Sequence, residues 1–453
     1  MKDASPFCCQ KEIATTIGHM SDNLLAIDLG TSSVKVLITS AKGEILSRGE
    51  VSYAINVPAQ GQAEQDPEAW WKATVEAVSQ VIRADKGNRR EIACIGLTGQ
   101  MHGTVLLNEQ GETIAPAVIW PDQRSKRQVT ELTDSIGSRQ LIRLTGSPVA
   151  TGFQAATVLW YRQNRAKRWT EVDKILLPKD YLRWRLTGEY CTDPSDASGT
   201  LLFDINHRRW STKILDLIGI EQRQLPVVKA SDNIAGRIVG KAAAALGVAK
   251  NTPVVTGAGD VACGLLGAGV THDKRLLLTI STGGQITLPV SGPEVDVLGR
   301  IHSFCSAQSP SGGEAGYLQL GAILSAGRSL RWLRDQILSN NGKIPFARLS
   351  AWAEKSPAGS KGLIFLPYIA GERTPHMDAE ARGMLLGLTI EHGRNDIVRA
   401  VMEGVAMACY DAFSVLKELG ARPEQIIMAG GGARSRLWRQ IVADVFNLPV
   451  QSP

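Results

Sequence analysis

The sequence predicts a two-domain α/β protein, and three observations carry that prediction. The chain has 453 residues, more than a single hydrophobic core usually serves. Apolar segments with the period of a strand are interspersed with segments of helical period. The second half also repeats the first, since each half has a strand ending at an aspartate and a Ser/Thr/Gly turn. We therefore expect a mobile tail at residues 1–22, an N-terminal domain at residues 23–250 and a C-terminal domain at residues 251–453.

The composition is that of an ordinary globular protein. Hydrophobic residues make up 43% of the chain, charged residues make up 21%, and the formal net charge is +6 without long charged runs. This balance favours small anionic partners over nucleic acid. The seven cysteines lack paired spacing, which indicates a reducing, cytoplasmic setting and no zinc site. No segment has the pattern of a signal peptide or of a membrane span.

The first predicted element is a hairpin at residues 24–39. A buried strand runs into Asp28, Gly30 allows a tight turn, and a strand with alternating apolar residues returns. The turn carries the hydroxyls of Thr31, Ser32 and Ser33, which suit phosphate oxygens because backbone N–H groups and hydroxyls can approach closely there. The alternative is a hairpin in which Asp and Gly serve only as turn formers.

The rest of the first half continues this sheet. A third strand follows at residues 44–55, and a helix begins at Pro67 with Asp66 as its cap. The strand at residues 92–97 ends in a polar segment that contains Met101 and His102. Open α/β sheets place ligands at such strand ends, so His102 could bond a substrate hydroxyl while Met101 packs on the carbon skeleton. A structural histidine is the alternative.

The second half begins with a strand at residues 254–256 that leads to Asp260. A short helix follows, and the strand at residues 276–280 turns through Ser281, Thr282 and Gly283 into a strand at residues 285–289. If the two halves are copies of one unit, a shared cleft would bring Asp28 and Asp260 face to face.

The last predicted elements are a long helix, a strand and a glycine loop. The buried face of the helix is set by residues spaced three or four apart, namely Val398, Val401, Val405, Ala408, Ala412 and Val415. The strand at residues 426–429 leads into Gly430, Gly431 and Gly432 ahead of another helix. Backbone N–H groups there could bind phosphate, although helix packing could equally explain the glycines. No P-loop motif occurs, and the dinucleotide-type match at residues 257–262 is weak.

Several motifs, in order, resemble those of one family. From the N-terminus they read D-L-G-T-S-S-V-K (residues 28–35), E-Q-D-P-E-A-W-W (64–71), G-Q-M-H-G (99–103), L-P-K-D-Y-L-R-W-R-L-T-G-E (177–189), G-A-G-D (257–260), G-E-R-T-P-H (371–376), R-A-V-M-E-G-V (399–405) and G-G-G-A-R-S (430–435). On these motifs the chain resembles the FGGY-type carbohydrate kinases, and within that family the xylulokinases.

The resemblance implies an actin-like, ribonuclease-H-like ATPase fold in two domains, with a ligand cleft between them. It implies ATP-dependent phosphorylation of a ketopentose, with D-xylulose as the expected substrate and xylulose 5-phosphate as the product. In such kinases the residue matching Asp260 is the general base and contacts the sugar, and the residue matching Asp28 helps to hold Mg²⁺. Sugar contacts are implied for Met101 and His102. Contacts to ATP are implied for the positions matching Thr31, Ser32, Ser33, Thr282, Gly283, Gly431 and Gly432.

Three departures from the family pattern keep alternatives open. Val261 stands where xylulokinases commonly have Asn, the second hairpin reads S-T-G-G in place of G-T-S-G, and the chain stops at Pro453 where family members continue. One alternative is therefore a shortened, catalytically weak or inactive member that binds sugar. Others are a kinase for another ketose or polyol and, more remotely, an actin-like filament protein. The expected partners are a sugar and ATP, with neither nucleic acid nor membrane, and a homodimer is possible.

Overall fold

The computed structural model describes residues 23–84, 92–308, 316–338 and 344–452. The predicted tail at residues 1–22 lies outside the described residues. The chain divides into two compact units, the first formed by residues up to 145 together with 149–263 and the second by residues 146–148 and 264 onward.

The first unit is built around a mixed sheet. The strands of this unit, some of which form separate two-stranded sheets, are β1 (Asn23–Leu29), β2 (Ser33–Ser40), β3 (Ile45–Ser52), β4 (Glu64–Gln65), β5 (Ile92–Gly99), β6 (Val105–Leu107), β7 (Ala117–Val118), β8 (Lys174–Leu176), β9 (Cys191–Thr192), β10 (Phe203–Asp204), β11 (Arg209–Trp210), β12 (Val227–Val228), β13 (Ile234–Arg237), β14 (Pro253–Val255) and β15 (Ala258–Gly259). Its helices are α1 (Pro67–Ala84), α2 (Lys126–Ile136), α3 (Ser138–Thr145), α4 (Gln154–Asn164), α5 (Ala166–Trp169), α6 (Pro178–Thr187), α7 (Pro194–Ser198), α8 (Thr212–Ile218), α9 (Gly240–Leu246) and the start of α10 (Asp260–Gly267).

The strand order of this sheet is β13-β14-β5-β1-β2-β3, and β15 also pairs with β5. β1, β2 and β3 are antiparallel neighbours, whereas β5 runs parallel to β1 on its other side. The predicted hairpin and third strand are therefore confirmed. Along β2 the burial alternates, because successive side chains of a strand point to opposite faces and only one face meets the core.

Helix α1 closes the core of this unit. Asp66 caps it as predicted, since the Asp66 carboxylate accepts a hydrogen bond from the N–H of Glu68 at 2.9 Å. Trp70 on the same helix is fully buried and packs with the sheet, and its indole N–H donates to Gln65 Oε1 at 3.2 Å. An indole of this size contributes a large apolar area, so the helix fixes one face of the sheet.

The second unit contains another mixed sheet. The strands of this unit, of which β20 and β21 form a separate sheet, are β16 (Arg275–Ile280), β17 (Gly284–Val290), β18 (His302–Cys305), β19 (Tyr317–Ile323), β20 (Ile364–Leu366), β21 (Met384–Leu386), β22 (Gln425–Ala429) and β23 (Val450–Gln451). Its helices after α10 are α11 (Gly327–Trp332), which continues as a π-helix at Leu333–Leu338, then α12 (Phe346–Ala353), α13 (Arg394–Glu418) and α14 (Arg436–Phe446). Short 3₁₀ turns occur at Gln222–Gln224 in the first unit and at Ser360–Gly362 and Gly431–Arg434 in the second.

The second sheet has the order β18-β19-β17-β16-β22-β23. β16 and β17 form an antiparallel hairpin, and β22 runs parallel to β16 on its other side. Helix α13 packs on the sheet with the predicted face, because Val398, Val401, Val405, Ala408, Ala412 and Val415 are all buried. Burying each of the valine side chains contributes roughly 1.5–3 kcal/mol, and each alanine contributes less.

The structure corrects the predicted boundary between the two halves. Residues 251–263 belong to the first unit, because β14 pairs with β5 at Val254 and Ile95 and β15 pairs with β5 beyond it. Asp260 therefore follows a strand of the first sheet. The expectation that Asp28 and Asp260 come from different halves is wrong, since one sheet carries both.

Candidate active site

Asp28 lies near the end of β1, directly before the predicted turn. The N–H of Gly30 donates to the carbonyl of Ser33 at 3.0 Å and closes that turn. The Asp28 side chain is half-buried, and within the described part of the chain we find no hydrogen bond to its carboxylate. Partial burial raises the pKa of Asp28; Lys35 opposes this shift and Glu50 adds to it. The carboxylate oxygens are thus available to a cation.

The three hydroxyls of the turn differ in what they can bind. Thr31 Oγ1 accepts a hydrogen bond from the indole N–H of Trp120 at 2.9 Å, which fixes its position but leaves its own proton to donate. Ser32 is exposed. Ser33 is buried, and its hydroxyl donates to Glu50 Oε1 at 2.6 Å. Thr31 and Ser32 can therefore offer hydroxyls to an anion, whereas the Ser33 hydroxyl is already used.

Asp260 opens α10 immediately after β15. Its carboxylate accepts a hydrogen bond from the N–H of Val261 at 2.8 Å, and solvent reaches the side chain. Protein nevertheless surrounds much of the carboxylate, and this desolvation raises its pKa to about 7, with the Val261 N–H opposing the shift and the charge of Asp28 adding to it. A carboxylate with a pKa near neutrality is well suited to act as a general base.

The two aspartates flank one strand. Asp28 lies level with Thr98 of β5 on one side, and Ala258 lies level with the same Thr98 on the other. Because neighbouring strands lie about 4.8 Å apart, the strands that lead to the two carboxylates are separated by roughly 10 Å. This spacing can accommodate a metal-bound phosphate beside one carboxylate and a hydroxyl beside the other.

Met101 and His102 follow β5. His102 has a φ of 72° and its Nδ1 lies 2.7 Å from the carbonyl of Gly199, so Nδ1 carries the proton in this contact. The ring stacks on Phe153 with 3.9 Å between centroids. Met101 is buried, and a Cβ added to Gly259 would lie 3.0 Å from its Cγ. Met101 thus packs against Gly259, the residue directly before Asp260, whereas the contacts of His102 described above are to Gly199 and Phe153.

Charged side chains that the sequence did not single out lie beneath this cluster. Lys179, Asp180, Asp193 and Asp196 are all buried, and Lys179 is ion-paired with each of the three aspartates. Aspartate is a residue type that commonly occurs in turns and caps, and Asp193 does cap α7. The sequence signal lies in two polar segments, P-K-D at residues 178–180 and D-P-S-D at residues 193–196, but sequence alone does not indicate that their charges are buried.

The second unit holds a separate cavity of about 600 Å³. Its walls include the second hairpin and the glycine loop, represented by Ser281, Thr282, Gly431 and Gly432. The hairpin turn is closed by the N–H of Ser281, which donates to the carbonyl of Gly283 at 2.9 Å. A cavity of this volume accommodates a nucleoside.

The glycines of the loop have different roles. Gly430 has a φ of 80°, and a Cβ there would lie 2.5 Å from the carbonyl oxygen of Ile280; a Cβ on Gly432 would lie 2.6 Å from the Ile280 side chain. A Cβ on Gly431 would meet nothing within 4 Å. Packing against Ile280 therefore explains Gly430 and Gly432, and Gly431 has open space beside it.

The donor set tests whether Mg²⁺ fits here. No group of three or more His, Cys, Asp or Glu side chains converges on a metal position among the described residues. Mg²⁺ is commonly bound by one or two carboxylates together with substrate phosphates and water. A single accessible carboxylate at Asp28 fits that mode and does not fit a site made by protein ligands alone.

Family comparisons cover both units. Residues 23–267 match the N-terminal domain of the FGGY family of carbohydrate kinases, and residues 287–453 match its C-terminal domain. The xylulose kinase of Escherichia coli K12 is 35% identical over 421 residues, which is 93% of this chain and 84% of that protein. The gluconokinase of Bacillus subtilis is 29% identical over 442 residues, which is 96% of this chain and 85% of that protein.

Solved structures give the same result. A xyloylose kinase from Brucella ovis matches with a TM-score of 0.89 and 32% identity, covering 95% of this chain and 86% of that one. A gluconate kinase from Lactobacillus acidophilus matches with a TM-score of 0.88 and 29% identity, covering 95% and 85% of the two chains. The predicted two-domain, actin-like fold is thereby confirmed. Among the described helices none has the length and apolarity needed to cross a bilayer.

Proposed function

The chain belongs to the FGGY family of carbohydrate kinases, and from this premise we propose that it phosphorylates D-xylulose on its 5-hydroxyl at the expense of ATP. Asp260 is the general base that takes the proton of the attacking hydroxyl. The observation that carries the proposal is the position of Asp260, a carboxylate with a pKa raised to about 7 that follows Gly259, against which Met101 packs. Its basicity lets it accept the proton as the oxygen–phosphorus bond forms.

The sugar is oriented by the residues that follow β5. His102, which donates its Nδ1 proton to the carbonyl of Gly199, is assigned a contact to the sugar. Met101 packs against Gly259, directly before Asp260, and is assigned a contact to the carbon skeleton of the sugar. Holding the hydroxyl in line with the phosphate supplies much of the catalysis in phosphoryl transfer, since little covalent assistance is needed.

We assign the metal ligand to Asp28 and the nucleotide contacts to both hairpins and the glycine loop. The assigned nucleotide-binding residues are Thr31, Ser32, Ser33, Thr282, Gly283, Gly431 and Gly432. When bound, Mg²⁺ with ATP supplies the phosphoryl group and neutralises its charge. Ser33 would contribute through its backbone, because its hydroxyl is bonded to Glu50.

The choice of D-xylulose is supported by relatives named xylulose kinase at 33–35% identity. Gluconate is the competing substrate, because a relative named gluconokinase is 29% identical over 96% of the chain. The two substrates differ in charge, and a site that must also bind a carboxylate needs an additional cation or hydrogen-bond donor.

The test is a coupled assay of ADP release with the purified chain, Mg²⁺ and ATP against D-xylulose, D-ribulose, L-xylulose, glycerol and gluconate. We expect the highest kcat/KM with D-xylulose. A preference for gluconate or for a polyol would overturn the substrate assignment. Sugar binding without ADP release would favour the inactive, sugar-binding alternative.

We further propose a cytoplasmic location and a homodimer. The location is supported by five free thiols among the described cysteines, which persist in a reducing compartment. The dimer is the common oligomer of metabolic enzymes. Light scattering on the purified chain would test it.

A further inference from the structure

The four residues that lead into Asp260 are fixed by the first unit at three backbone groups. The carbonyl of Thr256 accepts a hydrogen bond from Arg183 Nη1. The N–H of Gly257 donates to the carbonyl of Ser231 at 2.9 Å. The N–H of Gly259 donates to Ser195 Oγ at 3.0 Å. So short a segment, held at three points, gives the following residue, Asp260, little freedom to move.

Each of these three partners is itself bound to a buried aspartate. The Ser195 hydroxyl donates to Asp193 Oδ2, and the Ser231 hydroxyl donates to the same oxygen at 3.1 Å. Arg183 Nη2 donates to Asp180 Oδ1 at 2.6 Å. The backbone ahead of Asp260 is therefore tied to two carboxylates, those of Asp180 and Asp193.

Lys179 joins the two carboxylates. Its Nζ lies 3.0 Å from Asp180 Oδ1, 3.0 Å from Asp193 Oδ1 and 3.4 Å from Asp196 Oδ2, and all four side chains are fully buried. Apolar residues of similar volume often stabilise an interior as well as a buried ion cluster does. Stability alone therefore does not explain why these four charged side chains are buried here. A need to hold Asp260 in a fixed position would explain it.

Asp196, the third aspartate of the cluster, faces the same stretch of backbone. Beyond its ion pair with Lys179, neither of its oxygens has a hydrogen-bond partner among the described residues, and its Oδ1 lies 3.4 Å from the position that a Cβ on Gly259 would occupy. Burial raises the pKa of Asp196 well above its ordinary value; Lys179 opposes this shift, and the charges of Asp193, Asp180 and Asp260 add to it. The buried cluster thus reaches the backbone directly ahead of Asp260.

We propose that Lys179, Asp193 and Ser195 are positioning residues for Asp260, which they hold in place through the backbone of Gly259. The inference rests on the proposed function, because it assumes that Asp260 is the base. A base displaced by a fraction of an ångström loses alignment with the hydroxyl, and such losses reduce the rate of the chemical step more than they reduce binding.

The test compares two serines of the same short helix. Ser195→Ala removes the acceptor of the Gly259 N–H, whereas Ser198→Ala removes another buried hydroxyl of that helix, which donates to the carbonyl of Ser195 at 2.8 Å. We expect Ser195→Ala to lower kcat about tenfold, with sugar Kd changed less than about twofold. Ser198→Ala should keep kcat within about twofold of the wild-type value.

Melting temperature and the number of sugar sites per chain, measured by calorimetry, are recorded for both variants. If Ser195 had a purely structural role, its substitution would lower the melting temperature and the number of sugar sites per chain without changing kcat per occupied site. Wild-type kcat in Ser195→Ala, or an equal loss in Ser198→Ala, would overturn the inference. Asp260→Asn distinguishes failure of the positioning role from failure of the proposed function. If Asp260→Asn abolishes transfer while Ser195→Ala keeps the wild-type kcat, only the positioning role fails. If Asp260→Asn retains turnover, the proposed function fails.

Discussion

β1 and β16 occupy the same position in their respective sheets. Each is paired on one side with an antiparallel partner across a short turn, β2 or β17, and on the other side with a parallel strand, β5 or β22. Counted back from the last paired residue of each hairpin, Asp28 of the first corresponds to Thr279 of the second. The backbone arrangement is thus repeated, but the carboxylate is present in only one copy.

The segments that follow the parallel strands differ in the same manner. β5 leads to Met101 and His102 in the first unit, and β22 leads to the glycine loop at residues 430–432 in the second. The carboxyl ends of such strands are where α/β sheets bind ligands. The comparison indicates that one repeated scaffold carries carboxylates and the segment with Met101 and His102 in the first unit, and a cavity lined by glycines and, among the described residues, without carboxylates in the second.

The first prediction tests the difference between Asp28 and Thr279. Asp28→Asn should lower kcat about 100-fold and raise the Mg²⁺ concentration needed for half-maximal rate, because it removes the metal carboxylate. Thr279→Val is the matched control in the other hairpin and should leave kcat within about threefold. The measurement is ADP release over a Mg²⁺ titration. Equal losses in the two variants would show that the hairpins do not differ in the way proposed here.

The second prediction concerns pH. Asp260 is a base only when deprotonated, and its pKa is raised to about 7. We therefore expect kcat/KM to fall about tenfold per pH unit below that value and to level off above it. In the Mg²⁺-free protein, the pKa of Asp260 measured by NMR titration should be lower in Asp28→Asn than in wild type, because the charge of Asp28 contributes to the raised pKa. Thr279→Val should not move it. A rate independent of pH between 5 and 8 would contradict the assignment of the base.

The third prediction concerns stability and compares two glycines of the second unit. Gly430→Ala should lower the free energy of unfolding by roughly 3 kcal/mol, since the backbone conformation there is essentially restricted to glycine and the new Cβ would lie 2.5 Å from the Ile280 carbonyl oxygen. Gly431→Ala should change it by less than about 0.5 kcal/mol, because nothing lies near that position. Urea unfolding of both variants measures the two free energies of unfolding, and similar values for Gly430→Ala and Gly431→Ala would contradict the prediction.

Much of the fold was predictable because periodicity is a local property. The hairpin strands of both units and the buried face of α13 could be identified from alternation and from spacings of three and four. The sheet that β14 joins could not be identified in this way. Val254 and Val255 mark a strand but carry no information about its neighbour, and pairing with Ile95 depends on the whole chain fold.

The candidate site residues could be singled out because they lie at strand ends. Asp28 lies near the end of β1, Met101 and His102 follow β5, and Asp260 follows β15. The buried cluster around Lys179 was not predictable, since a lysine or an aspartate in a sequence is normally exposed and burial depends on partners far along the chain. The direction of the Ser33 hydroxyl was likewise hidden, because it is set by Glu50 on the neighbouring strand.

The central claim is that Asp260 is the base of a sugar kinase, and the most direct measurement compares wild type with Asp260→Asn in ADP release and in sugar binding by calorimetry. We predict that transfer falls by about 1000-fold, within the range for loss of a general base, while sugar Kd changes less than about threefold. The variant should be at least as heat-stable above pH 7, because the raised pKa of Asp260 means that the folded protein disfavours the ionised carboxylate, which the amide replaces. Wild-type turnover in Asp260→Asn would contradict the account.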